Sequence, residues 1–335
     1  MNSPIGKTRR VAMVVASLAL GATTLGACAS SSDDGDAPSY PTKTITLTIP
    51  YAPGGGTDTA GRLLAKALED ELDTSVVVVN KEGGGGAIGV GEVAKSKADG
   101  YTLGVATDSN IVLQPILNKD LTYGPDDVVT WGVAPSKFVV VAAADSPYQS
   151  LSDIIAEAKK RPGKIRIAHP GTGGSNDLTA QAFALAAGID IVPVPITGGG
   201  AEINKAVASG QVELAMTTVP VAQGFVDAKK LVIAGTMGED PAVGAEKSET
   251  LGSIGVSTDL IPNAQLVMLA PAGLPDHVEK ALDRALKDAT SGEFGTKMGQ
   301  IGFPVGYEDS AQSKTAMKQV QQQYEQILSQ FKARS

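Results

Sequence analysis

The sequence predicts an α/β chain folded into two lobes, each a mostly parallel sheet flanked by helices. Short β-rich runs alternate with stretches of helical period, which is how parallel strands joined by crossover helices read. The chain has 335 residues, and the roughly 300 that follow its N-terminal segment exceed what one hydrophobic core usually serves. A late strand followed by two helices sends the C-terminal segment back to the first lobe. Residues 42–140 with 264–335 are therefore assigned to one lobe and residues 141–263 to the other.

The N-terminus comes first. Lys7, Arg9 and Arg10 precede an apolar run at 11–20, so residues 1–27 have the layout of a secretory leader. It ends in Leu25-Gly26-Ala27-Cys28, which resembles a bacterial lipobox, where the thiol takes a diacylglycerol anchor. An ordinary cleaved leader with an incidental cysteine is the other reading. Residues 28–41 are a polar tether with nothing to bury and are expected to be disordered. The protein is thus expected outside the cytoplasm, held at the cell membrane by lipidated Cys28. That cysteine is the only one in the chain, so no disulfide or thiolate metal site is expected.

The body follows in order. Residues 44–49 read as the first strand, and Ala60, Leu63, Leu64, Ala67, Leu68 and Leu72 recur at helical spacing behind it. Residues 76–79 read as a buried strand, 87–95 as a small-residue helix, and 101–106 as a third strand. Phe138–Ala143 opens a second series, and Ser150 and Asp153 stand at capping-box spacing before the next helix. Strands at 165–168, 191–194, 213–216 and 231–234 alternate with helices at 176–187, 201–208 and 220–227. A Gly/Ser/Asp-rich loop at 238–259 leads to the returning strand at 266–269. Two helices follow, carrying Val278, Leu282, Ala285 and Leu286, then Met317, Val320, Tyr324, Ile327 and Phe331. Strands near 138–143 and 264–270 are expected to form the hinge. No internal repeat is visible.

Composition narrows the function. The net charge is −8, and losing the leader makes the mature chain more acidic still, which disfavours nucleic acid as a partner. With only two histidines, His169 and His277, metal sites and catalytic triads have little to build on, and no cofactor is expected. Four turns stand out, each linking a strand end to a helix start. They are Tyr51-Ala52-Pro53-Gly54-Gly55-Gly56-Thr57-Asp58, Gly171-Thr172-Gly173-Gly174-Ser175-Asn176, Thr197-Gly198-Gly199-Gly200, and Thr217-Thr218-Val219-Pro220. Glycine lets a backbone approach a ligand closely, and a helix N-terminus offers unpaired N–H groups. Together they make a neutral cradle for an anion without a lysine or arginine. The alternative is that Thr57, Asp58, Ser175 and Asn176 only cap their helices. Gly84-Gly85-Gly86-Ala87-Ile88-Gly89 also satisfies G-x-G-x-x-G, as in a dinucleotide-binding enzyme. Asp108, with Ser109 and Asn110, ends a strand on the side of the first cradle, while Asn80 is read as a turn holder and His169 as structural.

These segments resemble the solute receptors of tripartite tricarboxylate transporters, the Bug-type receptors. The matching stretches run from Tyr40-Pro41 through Pro53 to Asp58, Arg62, Asn80 with the glycines at 83–86, and Ala98-Asp99-Gly100-Tyr101-Thr102-Leu103. They continue through the Gly171 turn, Pro195, Gly198-Gly199-Gly200, Gly210-Gln211-Val212-Glu213 and Ala270-Pro271-Ala272-Gly273-Leu274-Pro275. The resemblance implies a two-lobed periplasmic-binding-protein-like fold of type II that closes on a small carboxylate. It also implies a ligand site in Ala52, Gly54, Gly55, Gly56, Thr57, Asp58, Thr107 and Asp108 of one lobe, to which the turn itself adds Tyr51. The other lobe would add Gly171, Thr172, Gly173, Ser175, Thr197, Gly198 and Gly199, with Thr218 from the fourth turn. The chain departs from the family pattern at Lys81-Glu82, at Ile196-Thr197 and at Asn263-Ala264-Gln265, so ligand identity does not transfer. The expectation is a monomeric, non-enzymatic receptor. It takes a small organic anion, a di- or tricarboxylate or an amino acid, and hands it to integral-membrane transporter subunits. A sensor subunit and an α/β enzyme are the rivals.

Overall fold

The structure, a computed structural model, describes residues 39–54, 56–197 and 199–332. The leader, Cys28 with nearly all of the tether, and the two glycines Gly55 and Gly198 lie outside the described residues. The first lobe runs β1 (Ile45–Ile49), α1 (Gly56–Leu72), β2 (Val76–Asn80), α2 (Ala87–Ala94), β3 (Thr102–Thr107), α3 (Asp108–Ile111), α4 (Leu113–Leu117) and β4 (Val128–Ser136). The second runs β5 (Phe138–Ala143), α5 (Leu151–Lys160), β6 (Ile165–His169), α6 (Ser175–Ala187), β7 (Ile191–Pro195), α7 (Gly200–Ala208), β8 (Leu214–Thr218), α8 (Val219–Asp227), β9 (Leu231–Thr236) and β10 (Glu249–Thr250). The chain then returns through β11 (Ala264–Pro271), α9 (Asp276–Ser291), α10 (Glu293–Gln300) and α11 (Ser310–Lys332).

Among the described residues these strands form two sheets, ordered β2-β1-β3-β11-β4 and β7-β6-β8-β5-β9-β10. In each, one interior strand runs against both its neighbours: β11 against β3 and β4, and β5 against β8 and β9. Each reversed strand is the one by which the chain enters from the other sheet. The two lobes therefore repeat one topology, although their sequences show no repeat.

Several expectations need correction. β5 lies wholly in the second sheet, so the change of sheet falls at Lys137 and not after residue 140. The strands near 138–143 and 264–270, expected to form the hinge, are each hydrogen-bonded on both edges. The chain passes between the sheets at Lys137 and again between Thr250 and Ala264. β2 is an edge strand, with Val77 51% exposed, and is not buried as the apolar run implied. β4 was invisible in the sequence because Gly132 and Pro135 interrupt it. As an edge strand it tolerates a proline, whose missing N–H costs no ladder bond there. The short helix α10 also went unread.

Helices cover both faces of each sheet. On the first, α1, α9 and α10 enclose one core with Leu47, Trp131 and Met268, while α2, α3, α4 and α11 enclose another with Val267, Leu269 and Tyr324. On the second, α5 and α6 pack on Phe138 and Val140, and α7 and α8 on Val139 and Val141. The capping-box spacing behind β5 holds, since Ser150 Oγ accepts from the Asp153 N–H at 3.1 Å. Leu178 of α6 packs into the first lobe's core beside α11, so the lobes are in apolar contact.

Trp131 is fully buried. Its Nε1–H donates to Asp283 Oδ1 at 2.6 Å, and the Tyr307 hydroxyl donates to the same oxygen at 2.9 Å. Asp283→Ala strands both donors and is expected to cost about 1–3 kcal/mol. Urea unfolding followed through Trp131, the single tryptophan, should show a lower midpoint. An unchanged midpoint would mean that these bonds do not hold α9 to β4.

Candidate functional site

The first turn takes its shape from a carboxylate inside the helix that follows it. Gly54 has φ +87°, a backbone state that side chains rarely adopt. Its N–H donates to Asp58 Oδ2 at 2.9 Å. Asp58 is nearly fully buried. It also receives Arg62 Nε on Oδ2 at 2.9 Å and Asn80 Nδ2 on Oδ1 at 2.8 Å. Burial pushes its pKa up, but hydrogen bonds from Arg62, Gly54 and Asn80 outweigh that and hold it below the ordinary carboxylate value. Asn80 Nδ2 also bonds Tyr51 O at 2.8 Å, so it ties the end of β2 to this turn rather than holding a turn of its own.

The second turn is built alike. Gly173 has φ +74°, and its N–H donates to Asp177 Oδ2 at 2.8 Å. Asp177 Oδ1 accepts from Gln181 Nε2 at 2.8 Å, with His169 Nε2 at 3.7 Å. Gly54-x-x-x-Asp58 and Gly173-x-x-x-Asp177 are thus one device used once per lobe, at the N-termini of α1 and α6. Asp177, Gln181 and the match itself escaped the sequence reading, although the shared five-residue spacing was there to be found.

The remaining predicted residues gather around these turns to different degrees. The Tyr51 hydroxyl donates to Asn110 Oδ1 at 2.7 Å, and the same oxygen receives the Thr107 N–H at 3.1 Å and Thr107 Oγ1 at 2.8 Å. Asn110 Nδ2 donates to Gly85 O at 2.7 Å, and a Cβ at Gly86 would lie 2.6 Å from that nitrogen. The G-x-G-x-x-G stretch is therefore a tight turn packed on Asn110. Ala52 and Gly54 are exposed, and Gly56 and Thr57 open α1. In the second lobe Gly171, Thr172 and Ser175 frame the second turn, with Thr172 exposed. Thr197 and Gly199 are exposed, without a side-chain tie to the other turns, and Thr218 ends β8 just before α8.

Contacts bring the turns to one junction. Asn176 Nδ2 bonds Met216 O at 2.9 Å, and Asn204 Nδ2 bonds Val221 O at 2.9 Å, so α6 and α7 are fixed to the end of β8 and to α8. Val221 packs on Gly200, and a Cβ at Gly56 would lie 3.8 Å from Val221 Cγ2. A Cβ at Gly173 would lie 3.3 Å from Leu117 Cδ1 of the first lobe. On the side of the chain crossings the lobes enclose a cavity of about 460 Å³, lined by Asp108, Lys137, Val219, Gln265 and Glu308 among others. Of the predicted site residues only Asp108 borders it.

Asp108 is 1% exposed, and burial pushes its pKa from 3.8 up to about 7 against the hydrogen bonds from the Ser109 and Gln265 N–H groups. The folded form then holds a proton that the unfolded form has lost between about pH 4 and 7, so this group lowers stability as pH rises through that window. Asp108→Asn removes the effect. The melting temperature of the variant relative to the parent should climb from pH 4 to 7 and level off above. A difference that does not vary with pH would show Asp108 to be ionised throughout.

Residues 60–332 match the tripartite tricarboxylate transporter family receptor, TctC. BugT of Bordetella pertussis is 28% identical over 258 residues, which are 76% of this chain and 78% of BugT. A solved periplasmic transporter is 30% identical, with a TM-score of 0.78 over 89% of this chain and 99% of its own. An R. palustris protein solved with adipate is 24% identical and shares the fold, with a TM-score of 0.76 over 86% of this chain and 97% of its own. The dinucleotide-enzyme reading of the glycine turn at 84–86 is thereby overturned. The match spans both lobes, and the chain belongs to the tripartite tricarboxylate transporter family of extracytoplasmic solute-binding receptors, which are not enzymes.

Proposed function

We propose that the mature protein is a monomer anchored at the outer face of the cell membrane through lipidated Cys28. It captures a small organic anion between its lobes and delivers it to the integral-membrane subunits of a secondary transporter. The observation that carries this reading is the matched pair of glycine turns, one per lobe, each at the N-terminus of a long helix and each in contact with the opposite lobe. In each, the aspartate takes one N–H of its own turn and leaves the next N–H groups of the helix start for a ligand. A carboxylate placed there meets the positive ends of two helix dipoles. Gly56 and Thr57 would serve it from one side, and Gly171 and Ser175 from the other, while Gly54, Thr107 and Gly173, whose donors are taken within the turns, would shape the approach. Tyr51, Ala52, Thr172, Thr197, Gly199 and Thr218 would form the rim. The adipate bound by the R. palustris relative is a ligand of this kind.

A ligand touching both turns has its full contacts only when the lobes are closed, so it shifts the population toward closure. At about 100 times its dissociation constant it should stabilise the fold by roughly 2.7 kcal/mol. A thermal-shift screen of organic acids and amino acids identifies the ligand. Small-angle scattering with that ligand should then give a smaller radius of gyration, and tight binding without compaction would refute capture between moving lobes.

Gly173→Val puts a β-branched residue at φ +74° and is expected to abolish binding while the first lobe's Trp131 environment stays intact. Normal affinity in this variant would remove the second turn from the site. For the anchor, Cys28→Ser should release the protein from membranes or leave an uncleaved precursor. A membrane-bound mature form without acyl mass would exclude lipidation.

A further inference from the structure

The two turns share a shape but not a counter-charge. In the first lobe Arg62 follows Asp58 by one helical turn and sets its Nε on Asp58 Oδ2 at 2.9 Å. In the second lobe the same position is Gln181, which gives Asp177 a hydrogen bond at 2.8 Å but no charge. The basic group beside Asp177 is His169 at the end of β6, whose Nε2 stands 3.7 Å from Asp177 Oδ1. The histidine is 1% exposed and the aspartate 2%. His169 Nδ1 is buried without a partner. The His169 carbonyl accepts the Ile196 N–H at 3.0 Å, which fixes the strand end that carries the ring. Where the first turn has a permanent guanidinium, the second has a titratable imidazole.

Among the described residues no other group competes for that place. β7 and β8, which flank β6, carry no titratable side chain, and α6 carries Asp177 alone. On α7, Glu202 and Lys205 are exposed and pair with each other at 3.8 Å. Arg166, near the start of β6, is exposed and bonded to Glu213. From the first lobe, Tyr324 stands against Ser175 with the charge of Asp108 behind it.

We propose that His169 is the proton-linked counter-ion of the second turn: it takes up a proton as an anion binds there, so the receptor holds its ligand more tightly as pH falls. This rests on the carboxylate-receptor reading above and adds a regulation to it. With the turn empty, burial and the unpartnered Nδ1 both oppose an imidazolium. An anion at the start of α6 adds a second negative charge to that of Asp177, and together they favour the charged ring. Linkage makes the effect mutual, since the protonated ring strengthens anion binding by the factor by which the anion strengthens protonation. A neutral ring leaves Asp177 to repel the anion, which lowers affinity at higher pH. Imidazole suits this task because its ordinary titration falls near neutrality. The proton comes from solvent and returns to it on release, and no covalent bond of the ligand changes.

Titration calorimetry on the full mature chain tests this with succinate, glutarate and adipate, and with any further acid that the thermal-shift screen returns. From about pH 8.5 down to about pH 6.5, where carboxylic acids stay ionised, affinity should rise at least threefold. The heat of binding should also change with the ionisation enthalpy of the buffer, reporting a fraction of a proton taken up per anion bound. His169→Gln should hold affinity near the parent's high-pH level throughout and remove the proton uptake, whereas a merely structural histidine would shift affinity equally at every pH. Gln181→Arg sets a permanent cation one helical turn after Asp177, as Arg62 follows Asp58, and should flatten the profile near the parent's low-pH affinity. A cooperative melt shows that each variant is folded, and the parent's own profile and proton uptake decide the matter if neither is. Flat affinity with no proton uptake by the parent would overturn the proposal and leave the carboxylate receptor standing, with His169 a packing residue. So would a pH dependence that His169→Gln keeps in full. If no acid binds at any pH, the receptor reading falls and this proposal with it.

Discussion

A carboxylate one helical turn beyond each glycine turn, accepting that turn's first N–H, is the interaction on which the binding architecture depends. A glycine run pays more conformational entropy on ordering than any other sequence. The bonds from Gly54 to Asp58 and from Gly173 to Asp177 meet that cost locally. Each also places a negative charge at a helix N-terminus, where the dipole favours it. In the first lobe Arg62 and Asn80 balance the buried charge, and in the second Gln181 does so with a neutral amide. The two cradles therefore share a backbone shape but differ in electrostatics, with the first the more positive at its edge.

The paired sheets determine how these cradles can move. Because β5 and β11 are inserted between two neighbours in the opposite lobe's sequence order, each lobe is closed by a strand that the chain delivers on crossing over. Both strands are bonded on both edges, and the chain crosses between the sheets at Lys137 and in the approach to Ala264. Asn176 and Asn204 lock the second lobe's helix starts to β8 and α8. Asp108 opens α3 and accepts from the Gln265 N–H at the start of β11, at the edge of the cavity between the lobes.

Much of this was legible in the residues. The alternation of strand and helix, the helix starts at Gly56, Ser175, Gly200 and Val219, and the returning strand near 266–269 all follow from local periodicity, glycine and capping residues, which act over a few positions. Ser150 with Asp153 is such a case. The edge position of β2 and the existence of β4 were not legible. Val76–Val79 looks the same alone whether buried or at an edge, and Pro135 is tolerated because the segment at 306–308 that runs along the outer edge of β4 pairs with Gly132 and Val133 and not with Pro135.

The sequence by itself determined that this chain has two α/β lobes, that glycine turns meet helix N-termini in both, and that its acidic surface suits neither nucleic acid nor an electrostatic trap for anions. Only the tertiary structure decided which of those residues meet. Tyr324 reads as one more position on a helix stripe until α11 packs on the first sheet, and Asp108 reads as a strand-end residue beside the first cradle until burial leaves one of its oxygens without a partner. Local patterns are written in neighbouring residues. The pairing of Tyr324 with Ser175, and of Asp108 with the Gln265 N–H, depends on residues far apart in the chain and on burial, which no short window of sequence contains.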